Sequence, residues 1–119
     1  MDTDTGTFTV RDAADGVRVV EVEGDVTPAT ETPLMGAFAR ASDGARAVVL
    51  DFTRLDYMNS GGIGLLVTLL VRAQRDRLPL HACGLSEHYR QILSLTRLDE
   101  AIAIHDSEQE AVAAVGARS

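Results

Sequence analysis

The feature that most constrains the fold is a short apolar run, Ala47–Leu50, which continues into Asp51 and Phe52. The run is too short for a helix and is rich in β-branched valine, so it predicts a strand buried on both faces. Such a strand lies in the middle of a sheet that helices cover on both sides. The rest of the chain must therefore supply further strands and helices.

A hairpin and a helix are predicted before this central strand. Apolar and polar residues alternate from Phe8, and turn residues at Ala13–Gly16 separate that segment from a second strand, Val17–Glu23, which Gly24 ends. Thr27 predicts the cap of a first helix, because a proline follows it at the first helical position. The apolar residues of this helix recur at helical spacing: Leu34, Ala37, Phe38 and Ala41.

Helices and strands alternate after the central strand. A loop at Thr53–Asn59 comes first, and Pro79 later predicts an edge or strand-start position for its own segment. The predicted elements after the loop are a helix at Ser60–Gln74, a strand at Leu78–Cys83, a helix from Ser86 to about Leu95, a strand at Ile102–Ile104 and a helix from Ser107 to about Val115.

The helix at Ser60–Gln74 carries more apolar surface than one sheet face needs. Its predicted sheet-facing stripe consists of Ile63, Leu66, Val67, Leu70 and Ala73. Leu65 and Leu69 are predicted to lie to the side of that stripe. They indicate either a second packing contact with a neighbouring helix or a surface for a partner protein.

The element order β, β, α, β, α, β, α, β, α predicts parallel pairing through right-handed crossovers after the hairpin. We therefore expect a single α/β domain over residues 1–119, with its core at about 8–115 and a mixed sheet of about five strands with four α-helices. The carboxyl ends of parallel strands share one edge, where α/β folds usually place their active groups. That edge, called the rim below, receives Gly24–Thr27 and Asp56–Gly62.

The composition excludes several classes of function. The chain has 119 residues, a formal net charge of −7 and no lysine, which argues against nucleic-acid binding and excludes a Schiff-base or Walker lysine. No apolar run reaches the roughly 20 residues of a membrane span, and the polar start Met1–Thr5 lacks the basic and apolar regions of a signal peptide. We expect a cytoplasmic protein.

The cysteine and the histidines predict no metal site and no catalytic thiol. Cys83 lies in an apolar, strand-like stretch, where a free thiol usually serves as a small buried hydrophobe. His81 shares a strand face with Cys83 but has no evident third ligand. His88 and His105 fall at spacings that match no zinc pattern. The sequence implies no metal and no cofactor.

The loop around Asn59–Gly64 lies between a buried strand and a helix and allows three interpretations. A dinucleotide-binding turn is disfavoured, because the first strand and helix carry no GxGxxG motif. A nucleophilic serine is disfavoured, because GxSxG is absent and no histidine has an evident relation to Ser60. The third interpretation makes Ser60 the N-cap of the following helix.

The same loop resembles a known family. The run Val48–Leu66, which includes Asp56-Tyr57-Met58-Asn59-Ser60-Gly61-Gly62, resembles the signature of STAS domains, the anti-sigma factor antagonists, in which a strand, a loop ending in Asp-Ser-Ser/Thr-Gly and a helix follow in order. Shorter matches cover most of the remaining chain: Gly24–Thr27, Cys83–Ser86, Leu95–Leu98 and Asp106–Ala111. The resemblance implies the STAS fold, also called SpoIIAA-like.

The resemblance also implies a function in partner switching and no enzyme activity. In this family an anti-sigma factor that is a serine kinase phosphorylates the serine that matches Ser60, and a serine phosphatase restores the free form. Unphosphorylated antagonist binds the anti-sigma factor and frees the sigma factor, which regulates bacterial transcription and stress responses. The implied partner contacts are Asp25, Thr27, Asn59, Ser60 and Gly61, with Leu65 and Leu69 on the adjoining helix.

Two residues depart from the family pattern. Asn59 replaces the loop aspartate, and Gly61 replaces the second serine or threonine, so one hydroxyl remains where the family often has two.

The alternative function is a constitutive STAS subunit of a stress-sensing or lipid-transport complex, in which Ser60 is not phosphorylated. The third candidate function is that of a small hydrolase or phosphotransferase that uses Ser60. The sequence also leaves open whether the chain forms a homodimer. Asp25, Asp51 and Asp56 fit a Mg²⁺ cluster less well than turn, strand-end and contact roles.

Overall fold

A computed structural model describes residues 6–117 as one five-stranded sheet with helices on both faces. The sheet order is β1-β2-β3-β4-β5; β1 and β2 are antiparallel and the other neighbouring pairs are parallel. Five strands and four helices confirm the predicted fold class. The elements are β1 Gly6–Ala14, β2 Val17–Val26, a 3-10 turn Pro28–Thr30, α1 Glu31–Ser42, β3 Ala47–Met58, α2 Ser60–Arg75, β4 Leu80–Cys83, α3 Glu87–Leu95, a 3-10 turn Leu98–Glu100, β5 Ala103–His105 and α4 Glu108–Ala117.

The sheet separates a large apolar core from a small one. The large core joins one sheet face to α1, α2 and α3 through buried residues such as Leu50, Leu66 and Leu93. The small core joins the other face to α4 through Val49 and Ala111. The central strand, predicted to be buried on both faces, contributes to both cores at Ala47–Leu50.

Two strands run further toward the rim than the sequence predicted. The loop predicted at Thr53–Asn59 is wrong, because β3 continues to Met58 and pairs with β2 as far as Val26. Gly24 likewise lies within β2 and does not end it. Two register shifts allow the pairing to continue through a polar stretch, so neither polarity nor glycine stops the strand.

The buried face of α2 differs from the predicted stripe. Leu65 is 7% exposed and Leu69 is fully buried, whereas Val67, which was predicted to face the sheet, is 41% exposed. The placement of Leu65 and Leu69 beside the stripe is therefore wrong. The helix contacts α1 as well as the sheet, so its buried face is centred between these two neighbours.

The cysteine lies in the small core. Cys83 is fully buried, and burial raises the pKa of its thiol to about 12, so the thiol is protonated at neutral pH. His81 is buried, with its Nδ1 3.0 Å from Nε2 of the half-buried His105, while His88 is exposed. Within residues 6–117, no group of three or more potential ligand side chains is arranged to hold a metal ion.

No helix of the described part of the chain is long and apolar enough to cross a membrane. The polar start at 1–5, on which the expectation about a signal peptide depends, lies outside the described residues.

Candidate functional site

Two strand ends meet at the centre of the rim. Val26 at the end of β2 is the register partner of Met58 at the end of β3. The next residues, Thr27 and Asn59, each start a helical segment. The chain therefore places two helix starts side by side, because parallel neighbouring strands end at the same edge.

Asn59 is the N-cap of α2. Its backbone is extended, and its side-chain Oδ1 accepts a hydrogen bond from the Gly62 backbone N–H at 2.9 Å. The expectation that Ser60 caps the helix is wrong, because Ser60 is the first residue inside it. An asparagine cap satisfies the same backbone group that an aspartate would, without its charge.

The Ser60 hydroxyl is left free by this arrangement. Ser60 is exposed, and its hydroxyl makes no hydrogen bond to any described residue. Asn59 provides the side-chain cap, so the Ser60 hydroxyl is not needed for that role. The serine is therefore accessible to another protein.

Two glycines let the start of α2 approach its neighbours closely. A Cβ atom on Gly62 would overlap the Val26 carbonyl oxygen and would lie 2.9 Å from Met58 Cγ. A Cβ atom on Gly61 would lie 2.5 Å from Cγ of Pro28. The absence of a second hydroxyl residue thus has a physical cause in this chain, since the Pro28 ring occupies the space beside Gly61.

The neighbouring helix start is held by a reciprocal cap. The Thr27 hydroxyl accepts from Ala29 N at 3.2 Å, and the Thr27 backbone N–H donates to the Thr30 hydroxyl at 3.2 Å. The Thr30 hydroxyl also donates to the Asp25 carbonyl oxygen at 3.1 Å. Thr27 is buried, so it holds the rim in shape and presents little surface to a partner.

Tyr89 on α3 positions the end of the central strand. Its hydroxyl accepts a hydrogen bond from the Met58 backbone N–H at 2.9 Å, which fixes the end of β3 immediately before Asn59. The half-buried Tyr89 lies on α3, far from the motif in sequence, and no local pattern identifies this contact.

The acidic residues near the rim are spread out. Asp25 is half-buried at the end of β2, opposite the exposed Tyr57, and Asp56 is exposed on β3. Burial alone would raise the pKa of Asp51, but hydrogen bonds from the Thr53 backbone and hydroxyl lower it below its ordinary value. Asp51 lies inside β3 and not at its end, and its carboxylate accepts hydrogen bonds from Thr53 on the same strand.

The structure brings together most of the predicted site residues. Asp25, Thr27, Asn59, Ser60 and Gly61 all lie where β2 and β3 end and α2 begins. Leu65 and Leu69 do not join this surface, because both are buried against the core. Exposed apolar residues do occur on α2, at Val67 and Val71.

Comparison with known proteins assigns the family. The family model described as "Mlab, STAS domain" matches residues 9–105, which include the whole rim. The chain belongs to the STAS domain family. This membership confirms the resemblance found in the sequence.

Individual STAS relatives match over nearly the whole chain. A Bordetella bronchiseptica protein named as the anti-sigma factor antagonist BtrV is 29% identical over 104 residues, covering 87% of this chain and 90% of its own. A crystal structure of an anti-sigma factor antagonist from Mycobacterium paratuberculosis aligns with a TM-score of 0.79 and 25% identity, covering 96% and 97% of the two chains. Phosphorylated SpoIIAA from Bacillus shares the fold, with a TM-score of 0.71, 17% identity and coverage of 92% and 99%.

Proposed function

We propose that this protein is an anti-sigma factor antagonist that binds a serine-kinase anti-sigma factor through the rim and is released when Ser60 is phosphorylated. The observation that carries the proposal is the exposed Ser60 hydroxyl, which has no hydrogen-bond partner among the described residues and stands at the first position of α2. Similarity to BtrV and to the Mycobacterium paratuberculosis antagonist supports the class of partner.

The proposed mechanism separates binding from folding. A phosphate on Ser60 adds about −1.5 to −2 charges and considerable bulk to a surface that presents a neutral hydroxyl. The added charge lies at the positive end of the α2 dipole, which tolerates an anion within the domain. Phosphorylation therefore weakens the binding of the partner and leaves the free energy of unfolding of the domain nearly unchanged.

The surroundings strengthen this effect. Asp25 and Asp56 already place carboxylates at the same edge of the sheet, and the whole chain has a net charge of −7. A phosphate on Ser60 would make the edge more negative, which repels any acidic group of a bound partner. The nucleotide, Mg²⁺ and catalytic groups would belong to the kinase, so the proposed role of this chain is that of a ligand and substrate. A serine phosphatase would reverse the modification.

One observation favours a second candidate. Asn59 takes the place of the family's aspartate and keeps the cap without the charge, so any help that a carboxylate gives to the kinase is absent here. In the alternative, the protein is a constitutive STAS subunit of a larger complex, and the rim binds its partner without a phosphorylation step.

The test compares two variants of Ser60 in a binding assay with a serine-kinase anti-sigma factor from the same host. We expect Ser60→Asp to weaken binding at least tenfold, while Ser60→Ala binds like the wild type. Equal binding by all three proteins would contradict the switch and support the constitutive subunit. Thermal unfolding of both variants serves as the control, and we expect curves close to that of the wild type.

A further inference from the structure

The exposed face of α2 forms a continuous row that starts at Ser60. Successive helical residues turn by about 100°, so Ser60, Gly64, Val67, Val71 and Arg75 lie within one narrow sector opposite the buried residues. Val67 is 41% exposed and Val71 is 49% exposed. The row spans about 22 Å, which is about four turns of helix.

The far end of this row opens into a cleft lined by arginines. The cleft has a volume of about 840 Å³ and lies between the carboxyl-terminal ends of α1 and α2. Arg40, Arg72 and Arg75 line it, together with Asp43 and Asp76. None of the three guanidinium groups forms an ion pair with a described residue.

The charge of α2 contrasts with that of the chain. The whole protein carries 18 acidic and 11 basic residues, yet the helix Ser60–Arg75 contains no acidic residue and two arginines. All three arginines lie in the last turn of their helix, Arg72 and Arg75 in α2 and Arg40 in α1, where a cation also interacts favourably with the helix dipole. Three guanidinium groups against the carboxylates of Asp43 and Asp76 leave the cleft with a net positive charge. Two exposed valines beside such a cleft are complementary to a partner that is both apolar and acidic.

We propose that this face, defined as Val67, Val71, Arg72 and Arg75 with Arg40 from α1, docks an amphipathic helix of the anti-sigma factor. The docked helix carries an apolar stripe against the valines and carboxylates against the arginine cleft. The proposal rests on the function proposed above and extends the partner contact from Ser60 along the length of α2. The row replaces Leu65 and Leu69, which are buried, as the apolar part of the interface.

The geometry gives the docked helix a fixed direction. Its apolar residues at helical spacing cover Val67 and Val71, and its acidic end lies beside Arg75, because guanidinium groups hold carboxylates through paired hydrogen bonds. Its other end then lies near Ser60. Phosphorylation at Ser60 therefore disrupts the contact at that end of the docked helix, while the valines and arginines position the rest of it.

The probe for this surface is a fluorescein-labelled synthetic peptide of about 18 residues with leucines at helical spacing and three glutamates in its last turn. A matched peptide has lysines in place of the glutamates. Fluorescence anisotropy with the full-length protein is expected to show at least tenfold tighter binding of the glutamate peptide. Equal binding of both peptides would overturn the proposal.

Three variants locate the contact. We expect Val67→Asp combined with Val71→Asp to weaken binding of the glutamate peptide at least tenfold. We expect Arg72→Glu combined with Arg75→Glu to reverse the preference between the two peptides. Leu95→Asp is the matched control, because Leu95 on α3 is 84% exposed and apolar but lies outside the row. A loss with Leu95→Asp equal to that of the valine pair, or no reversal by the arginine pair, would overturn the docking surface.

Binding of the same variants to the anti-sigma factor distinguishes the two proposals. If Ser60→Asp weakens binding and the valine and arginine pairs do not, the docking surface fails and the switch stands. If the two pairs weaken binding and Ser60→Asp does not, the docking surface stands and the phosphorylation switch fails. Circular dichroism of each variant confirms that the substituted proteins are folded.

Discussion

The two faces of α2 differ in how closely the rest of the molecule constrains them. On the inner face, Gly61 and Gly62 lie so close to Pro28 and the Val26 backbone that an added Cβ atom would come within 3 Å of them. On the outer face, Ser60 and the two exposed valines contact little of the described chain. The difference teaches that one motif has two separable roles: its glycines fix the helix, and its serine is available to a partner.

The largest expected effect is at Gly62. Gly62→Ala places a Cβ against the Val26 carbonyl oxygen, a backbone group that cannot move aside, so we expect a loss of about 3 kcal/mol or more in the free energy of unfolding. Gly64→Ala is the matched control, because a Cβ there meets nothing within 4 Å. It should instead gain up to about 1 kcal/mol from helix propensity. Urea unfolding measures the change in the free energy of unfolding for both variants. Equal changes would show that the inner and outer faces of α2 tolerate a side chain equally well.

The next effect tests the contact between Gly61 and Pro28. Gly61→Ser, which restores the family's second hydroxyl, should cost about 1–3 kcal/mol, because its Cβ meets the proline ring. Pro28→Ala removes that ring, so the double variant should recover most of the loss. A double-mutant cycle measured by urea unfolding gives the coupling energy. Additive effects of the two substitutions would show that the ring does not exclude the serine.

A smaller effect is expected at Asn59. Asn59→Ala removes the side-chain cap on Gly62 N and should cost about 1 kcal/mol. Asn59→Asp keeps the cap and adds a charge at the helix start, which should raise stability by about 0.3–1 kcal/mol. In thermal unfolding, we expect the melting temperature to be highest for Asn59→Asp, intermediate for the wild type and lowest for Asn59→Ala. If Ala were as stable as Asn, the capping hydrogen bond would contribute nothing.

The smallest effect on stability is expected on the outer face. Val67→Asp and Val71→Asp should each change the free energy of unfolding by less than about 0.5 kcal/mol, since both side chains are substantially exposed. Urea unfolding checks this, with the buried Leu69→Asp as the contrasting variant, for which we expect failure to fold or a loss of several kcal/mol. Losses of 2 kcal/mol or more at the valines would mean that they support the fold.

The sequence predicts the fold better than the details of the site. Element order, parallel pairing and the position of the rim follow from hydrophobic periodicity and from the turn residues. The end of β3 does not, because Thr53–Met58 is polar enough to resemble a loop and becomes strand only by pairing with β2. The rotation of α2 depends on α1, and the choice of Asn59 over Ser60 as cap depends on backbone angles. Tertiary contacts determine the first two.

The most direct test of the central claim is the intact mass of the protein purified from its own host, with peptide mapping around Ser60. The account predicts a fraction of molecules that is heavier by about 80 Da, with the phosphate on Ser60. It also predicts that this fraction does not bind the anti-sigma factor. Protein without phosphate at Ser60 under all growth and stress conditions, or phosphorylated protein that binds like the unmodified form, would contradict the switch.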